Sequence, residues 1–154
     1  MRFRVVWAAA VALSMVGAWA AAEEKRIERA ALPPAVEKTV REQSAGATVR
    51  GFSMEREKGE VFYEAELTVG GHSKDLLINA KGAVVEVEEE VAIDQLPSSV
   101  RTALEQEAGG GKILKVESIK KHDKLVAYEA QVVLNNKKSE VQVGPEGQPL
   151  DHRE

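Results

Sequence analysis

Glu86, Glu88, Glu89 and Glu90, with Asp94 close behind, form the densest run of one charge in this 154-residue chain. Carboxylate oxygens gathered this way are what a hard divalent cation needs, since Ca2+ takes about six to eight oxygen ligands. Glu86, Glu88 and Glu90 also alternate, as the solvated face of a strand does, and no Asp-x-Asp-x-Asp-Gly loop accompanies them. The expectation is a charged strand face without metal or cofactor. Glu86, Glu88 and Glu90 are the candidate ligands should a cation bind.

Nucleophilic chemistry has little to work with. The chain has no cysteine, so a serine would have to pair with His72, His122 or His152. Ser53, Ser73, Ser98, Ser99, Ser118 and Ser139 fall in expected strands, turns or a helix start, and none sits in a Gly-x-Ser-x-Gly elbow. The three histidines read as exposed turn and tail residues. No enzyme is expected. Lys112, Lys115, Lys120, Lys121 and Lys124 gather in one region, but the chain is net acidic and offers no aromatic stacking platform. Nucleic acid is therefore not an expected partner.

The elements that carry these residues come from a repeat. Val61-Phe62-Tyr63-Glu64-Ala65-Glu66-Leu67-Thr68-Val69 recurs as Val126-Ala127-Tyr128-Glu129-Ala130-Gln131-Val132-Val133-Leu134. Both alternate with period two, as strands with one buried face do, and both end at turn-forming pairs, Gly70-Gly71 and Asn135-Asn136. Tyr63 and Tyr128 fall on the apolar face and read as core-filling rings.

Leu32-Pro33-Pro34-Ala35-Val36 opens a helix, with proline in the first turn and Val36 and Val40 one turn apart. Leu96-Pro97-Ser98-Ser99-Val100 repeats it 64 positions on, and Gly82 meets Gly147 at 65. The run Gly109-Gly110-Gly111 reads as the place of the extra residue, so that Arg50 aligns with Lys115. Strands are predicted over about Ala47–Glu57, where Gly51 marks a bulge or close packing, then His72–Ala80 and Ala83–Val91. In the last of these Val85, Val87 and Val91 share one side. Glu23–Ala31 reads as a lead-in with a frayed helical turn, and Gln148–Asp151 as a stub of a fourth strand in the second copy.

The fold class is thus α+β, a tandem repeat of a helix packed on a three- to four-stranded antiparallel meander. The units are a lead-in over 23–31, one repeat over 32–92 and a second over 93–154. Neither repeat is large enough to bury a good core alone, so they are expected to pack together or share one sheet.

The first 22 residues read as a removable leader. Arg2 and Arg4 precede an apolar run that ends in Ala18-Trp19-Ala20-Ala21-Ala22, before the charges Glu23-Glu24-Lys25-Arg26. Ala-x-Ala sites allow cleavage after Ala20 or Ala22. The formal charge is −4, and −6 without Arg2 and Arg4. A periplasmic or secreted protein is expected, touching a membrane only through the leader. The absence of cysteine excludes a lipid-modified lipoprotein and a disulfide framework.

The repeat of a Leu-Pro-x-x-Val helix, a Tyr-Glu-x-x-hydrophobic strand and a hydrophobic-x-x-x-x-Gly turn resembles the PepSY-like proteins. These are small secreted bacterial proteins whose tandem fold is similar to that of the β-lactamase inhibitor protein. The resemblance covers Leu32 to Leu150. It implies a binding or inhibitory module whose partner is a protein or peptide, such as an envelope enzyme or peptidase. A cell-envelope sensor of a small ligand or metal is the alternative. The outer sheet face is the expected partner surface, carrying Phe62, Glu64, Glu66, Glu129, Gln131 and Val133.

Overall fold

Proline at a helix start fixes φ near the helical value and lacks only an N–H that the first turn leaves unpaired. Helix α1 accordingly runs Pro34–Gln43 and α2 runs Ser98–Glu107, each just past its Leu-Pro step. Each buries two apolar residues one turn apart, Val36 and Val40 on α1, Val100 and Leu104 on α2. The computed structural model describes residues 24–57 and 59–154, so the expected leader and Lys58 lie outside the described residues. No described helix is long and apolar enough to cross a membrane.

Eight strands make one sheet: β1 Lys25–Ile27, β2 Thr48–Glu57, β3 Glu60–Val69, β4 His72–Asn79, β5 Val84–Glu90, β6 Lys112–Lys121, β7 Lys124–Leu134 and β8 Lys137–Val143. Their spatial order is their chain order, and every neighbouring pair is antiparallel. Among the described residues this sheet is joined by two α-helices, which makes an α+β fold. β5 pairs with β6, so the sheet continues across the middle of the chain. α1 lies between β1 and β2 and α2 between β5 and β6, while tight turns supply other connections. Gly70 and Gly71, His122 and Asp123, and Asn135 and Asn136 all take positive φ, as two-residue hairpins require.

Two apolar cores lie on one face of the sheet. Val36 and Val40 of α1 pack with Phe52, Ala65, Leu67, Leu76 and Ile78. Val100 and Leu104 of α2 pack with Val116, Ala130, Val132 and Val143. Tyr63 and Tyr128 pack half-buried against these cores. Between them a charged chain, Lys74 Nζ to Glu89 at 2.8 Å and Lys120 Nζ to Glu89 at 3.0 Å, crosses β4, β5 and β6.

Gly82 and Gly147 sit beneath the first turns of the two helices. A Cβ on Gly82 would come 2.6 Å from the Ala35 carbonyl oxygen, and one on Gly147 2.7 Å from that of Ser99. Both glycines also have positive φ, so no other residue suits either place.

The structure corrects several readings. The lead-in is more than a helical turn: a 3-10 turn forms over Arg29–Ala31, but Lys25–Ile27 before it pairs with Met54, Ser53 and Phe52, because the edge of β2 offers free backbone groups. No stub of a further strand forms after Val143. The chain instead turns at Gly144, whose N–H donates to the Gln148 carbonyl at 2.8 Å. Val85 does not share a side with Val87, since a bulge opposite Leu77 and Ile78 sets Val84 against Ile78 and leaves Val85 at a groove on the other face.

The extra residue is not in the glycine run. Val49 opposes Leu67, and Ile113, 64 positions on, opposes Val132; Ser53 opposes Glu64, and Glu117 opposes Glu129. The step from 64 to 65 falls at Val126, which is skipped where Ile119 pairs with Ala127 and Lys120 with Leu125. Lys115 therefore corresponds to Gly51, and Glu117 to Ser53. Arg50 corresponds to the bulged Leu114.

Candidate functional site

With both helices on one face, alternation sends the other half of each strand to the opposite face. There the second side chains are carboxylates: Glu55 on β2, Glu64 on β3, Asp75 on β4, Glu86 and Glu88 on β5, Glu129 on β7 and Glu140 on β8. All of them, with Glu24 before β1 and Glu154 beyond β8, line one trough of about 390 Å³. Residues from both ends of an eight-stranded sheet can share a trough only if the sheet coils, bringing its edges toward each other. The single cation in that lining is Arg153.

Burial, with the charges of neighbouring carboxylates, raises the proton affinity of five of them. Burial pushes the Glu88 carboxyl up to about 8, helped by the charges of Glu86, Glu129 and Glu117. Burial also raises Glu55, Glu64, Asp75 and Glu129, although Ser53 at 2.7 Å restrains Glu64, Arg50 restrains Asp75, and Gln142 and Arg153 restrain Glu129. Glu89 and Glu90 move the other way. Hydrogen bonding from Lys74 lowers Glu89, and the Ser73 N–H at 2.9 Å lowers Glu90.

Two of the trough's carboxylates, Asp75 and Glu88, have oxygens within 4.8 Å of one another and of Glu117. Glu117 is only 3% exposed. Lys115 Nζ donates to it at 2.6 Å, and the Ser73 hydroxyl donates to it at 3.0 Å. Arg50 Nη2 donates to Asp75 at 2.9 Å. Three carboxylates on β4, β5 and β6 form an oxygen donor set suited to a hard cation, with two basic groups at its border. The hydroxyl of Ser73 is engaged by carboxylates, and His72 Nδ1 faces Glu90 at 3.4 Å, so neither histidine nor serine serves the other.

Beside the trough, and sharing Leu77 and Glu86 with it, runs an apolar groove of about 620 Å³. Phe62, Leu77, Val61 and Val85 give it its apolar walls, and Lys121 and His122 stand at its rim.

Of the residues expected to meet a partner, Phe62 lines the groove, and Glu64 and Glu129 line the trough. Glu66 is on the same face but paired with Arg26. Gln131 borders a separate shallow pocket with Leu114 and Lys138, and Val133 is half-buried opposite Lys112 and Lys138. Of the candidate ligands, Glu88 joins the three-carboxylate set, Glu86 pairs with Lys121 at 3.5 Å, and Glu90 is held by Ser73 and His72. The strand carrying Glu88 is thus not a plain solvated face. The lysines do not form an open basic patch, since Lys115, Lys120 and Lys121 each face a glutamate. Asp75, Glu117 and Arg153 escaped sequence reasoning. Only the true register, which sets Glu117 where the first half has Ser53, would have drawn notice to Glu117.

A sequence profile described as beta-lactamase-inhibitor-like, PepSY-like matches residues 9–85 and again residues 61–148. Among solved structures, a candidate periplasmic protein from Bacteroides eggerthii superposes with a TM-score of 0.60 at 18% identity, covering 75% of this chain and 84% of that one. A DUF2874 family protein from Bacteroides ovatus gives 0.58 at 20% identity, covering 77% and 84%. A BLIP-like protein from Bacteroides fragilis gives 0.55 at 20% identity, covering 77% and 83%. At these identities the likeness is one of fold. No curated protein matches the chain at a significant level.

Proposed function

Because the chain belongs to the PepSY-like, beta-lactamase-inhibitor-like family, we propose that it is a non-enzymatic binding module for a protein or peptide, docked on the outer face of its sheet. The observation that carries this reading is the trough itself: nine carboxylates and one arginine line a single open depression, with an apolar groove alongside. Such a surface is rich in charge and shape, and poor in the paired nucleophile and base that catalysis needs. Its negative potential disfavours nucleic acid.

Each half is a module of one helix on an antiparallel meander, arisen by duplication, with the units 32–92 and 93–154. The leader-like residues 1–22 and the candidate periplasmic relative support action outside the cytoplasm. There the module modulates or inhibits an envelope enzyme or peptidase. Crosslinking and capture from native envelope extract, with a Glu64→Lys/Glu129→Lys variant as control, tests it. One partner taken by the wild type and lost by the variant is expected; equal capture by both would sink the outer face as the docking site.

A second reading has its own observation. The Asp75–Glu88–Glu117 set offers carboxylate oxygens within 4.8 Å of one another, which favours a divalent cation as ligand or co-ligand and a sensing role in the envelope.

A further inference from the structure

The trough already holds a basic side chain supplied by the chain itself. Arg153 Nη2 donates to Glu129 at 2.7 Å and to Glu140 at 3.0 Å. The next residue is pinned beside it: the Glu154 N–H donates to Gln142 Oε1 at 2.9 Å, and its carboxylate faces Lys121 at 3.3 Å. The segment thus lies over β7 and β8 at one side of the trough. Arg153 remains half-exposed, so solvent reaches the contact and it can be exchanged. On the other side, Glu24, Glu55, Glu64 and Glu88 form no salt bridge among the described residues. The anionic lining is only partly neutralised.

We propose that the trough receives a basic segment of a partner protein, and that Arg153 is a self-ligand which this segment displaces. This rests on the binding-module reading and adds the chemistry of the partner. The segment carries arginine or lysine side chains for the carboxylates of β3, β5 and β7. One bulky apolar residue fills the groove at Phe62, Leu77 and Val85, which adjoins the trough. Charge complementarity selects this occupant. An acidic or neutral segment would leave the carboxylates facing one another without a counterion. One nitrogen of Arg153, Nη2, meets Glu129 and Glu140 at once, a contact that either an arginine or a lysine of the segment can copy.

The test is a random dodecapeptide display library panned on the wild type and on Arg153→Ala. Enriched peptides are expected to be net positive and to carry a bulky apolar residue. A labelled enriched peptide is expected to bind Arg153→Ala about three- to tenfold more tightly than the wild type, in line with losing one exposed ion-paired competitor. Arg153→Lys should stay near the wild type, Glu64→Gln should weaken binding, and added salt should weaken it in all of them. Urea melting of each variant confirms that it folds. Enriched peptides without basic residues, or equal affinity for wild type and Arg153→Ala, would overturn the inference. If such peptides still lost binding to Glu64→Lys/Glu129→Lys, the outer face would stand as a docking surface for other chemistry. Failure of either protein to enrich any peptide would also overturn it.

Discussion

The Ser73 hydroxyl stands 3.0 Å from Glu117 Oε1, so a strand of the first half holds the most buried carboxylate of the second. Lys115 completes the contact, reaching Glu117 at 2.6 Å and Ser73 at 3.3 Å. In the corresponding ladder of the first half the same two places are Gly51 and Ser53, and Ser53 simply donates to Glu64. The second half has an ion pair, Lys115 to Glu117, at the places where the first half has Gly51 and Ser53.

Removing the lysine should therefore cost more than removing both charges. Lys115→Ala leaves Glu117 buried without its cation and is expected to destabilise by about 3 kcal/mol at pH 8. Lys115→Gly/Glu117→Ser, which copies the first half's pattern, is expected to lose clearly less. Urea denaturation of the two variants decides it. A Lys115→Ala loss below that of the double variant would show the pair to be unimportant.

Stability should fall as the solution becomes alkaline. A carboxyl raised on folding binds its proton more tightly in the folded chain than in the unfolded one. Its contribution is complete below the ordinary value of 4.5 and is lost as pH climbs to the folded value, about 8 for Glu88. Glu55, Glu64, Asp75 and Glu129 are raised as well and act in the same direction. Glu89 and Glu90, lowered by Lys74 and Ser73, act oppositely and only in acid. Glu88→Gln is expected to gain about 1–2 kcal/mol at pH 8.5 and to match the wild type near pH 5. Melting curves across pH 4–9 give the answer, and a wild-type profile flat from pH 5 to 8 would contradict it.

A divalent cation should reverse that alkaline loss. Calcium held by Asp75, Glu88 and Glu117 would bind the ionised trough and release a proton. At about a hundredfold excess over its dissociation constant it would add about 2.7 kcal/mol. The melting temperature at pH 8 should then rise with calcium in the wild type and not in Asp75→Asn. No response in the wild type removes the cation reading.

The two glycines under the helices give a test of equivalence. Gly82→Ala and Gly147→Ala each force a Cβ against a helix-start carbonyl at positive φ, at a cost of about 1–3 kcal/mol. Similar losses are expected for both. A neutral result at either would mean that its helix shifts freely on the sheet.

The helices, the hairpin pairs and most buried positions were legible in the sequence, because Leu-Pro-x-x-Val and period-two alternation write them locally. Of the bulges, only the one beside Gly51, where the register shifts between Val49 and Gly51, had a local mark. A single skipped residue, Val126, has no signal in composition, yet it decides that Lys115 stands over Gly51 and Glu117 over Ser53. The acidic run around Glu88 was visible as charge, but its partners are not its neighbours in sequence: Asp75 and Glu117 come from β4 and β6. Coiling of the sheet is likewise a property of all eight strands together. For that reason Glu24 and Glu140 meet over one trough without any motif to announce it.

Every strand of this sheet pairs with the strand made just before it. No strand must wait for a distant partner, so the entropy of closing large loops is never incurred all at once. The chain can therefore assemble strand by strand, closing a longer loop only where α1 precedes β2 and α2 precedes β6. A sheet of mixed order and equal size would fold more slowly and leave more strand edges open to other chains on the way.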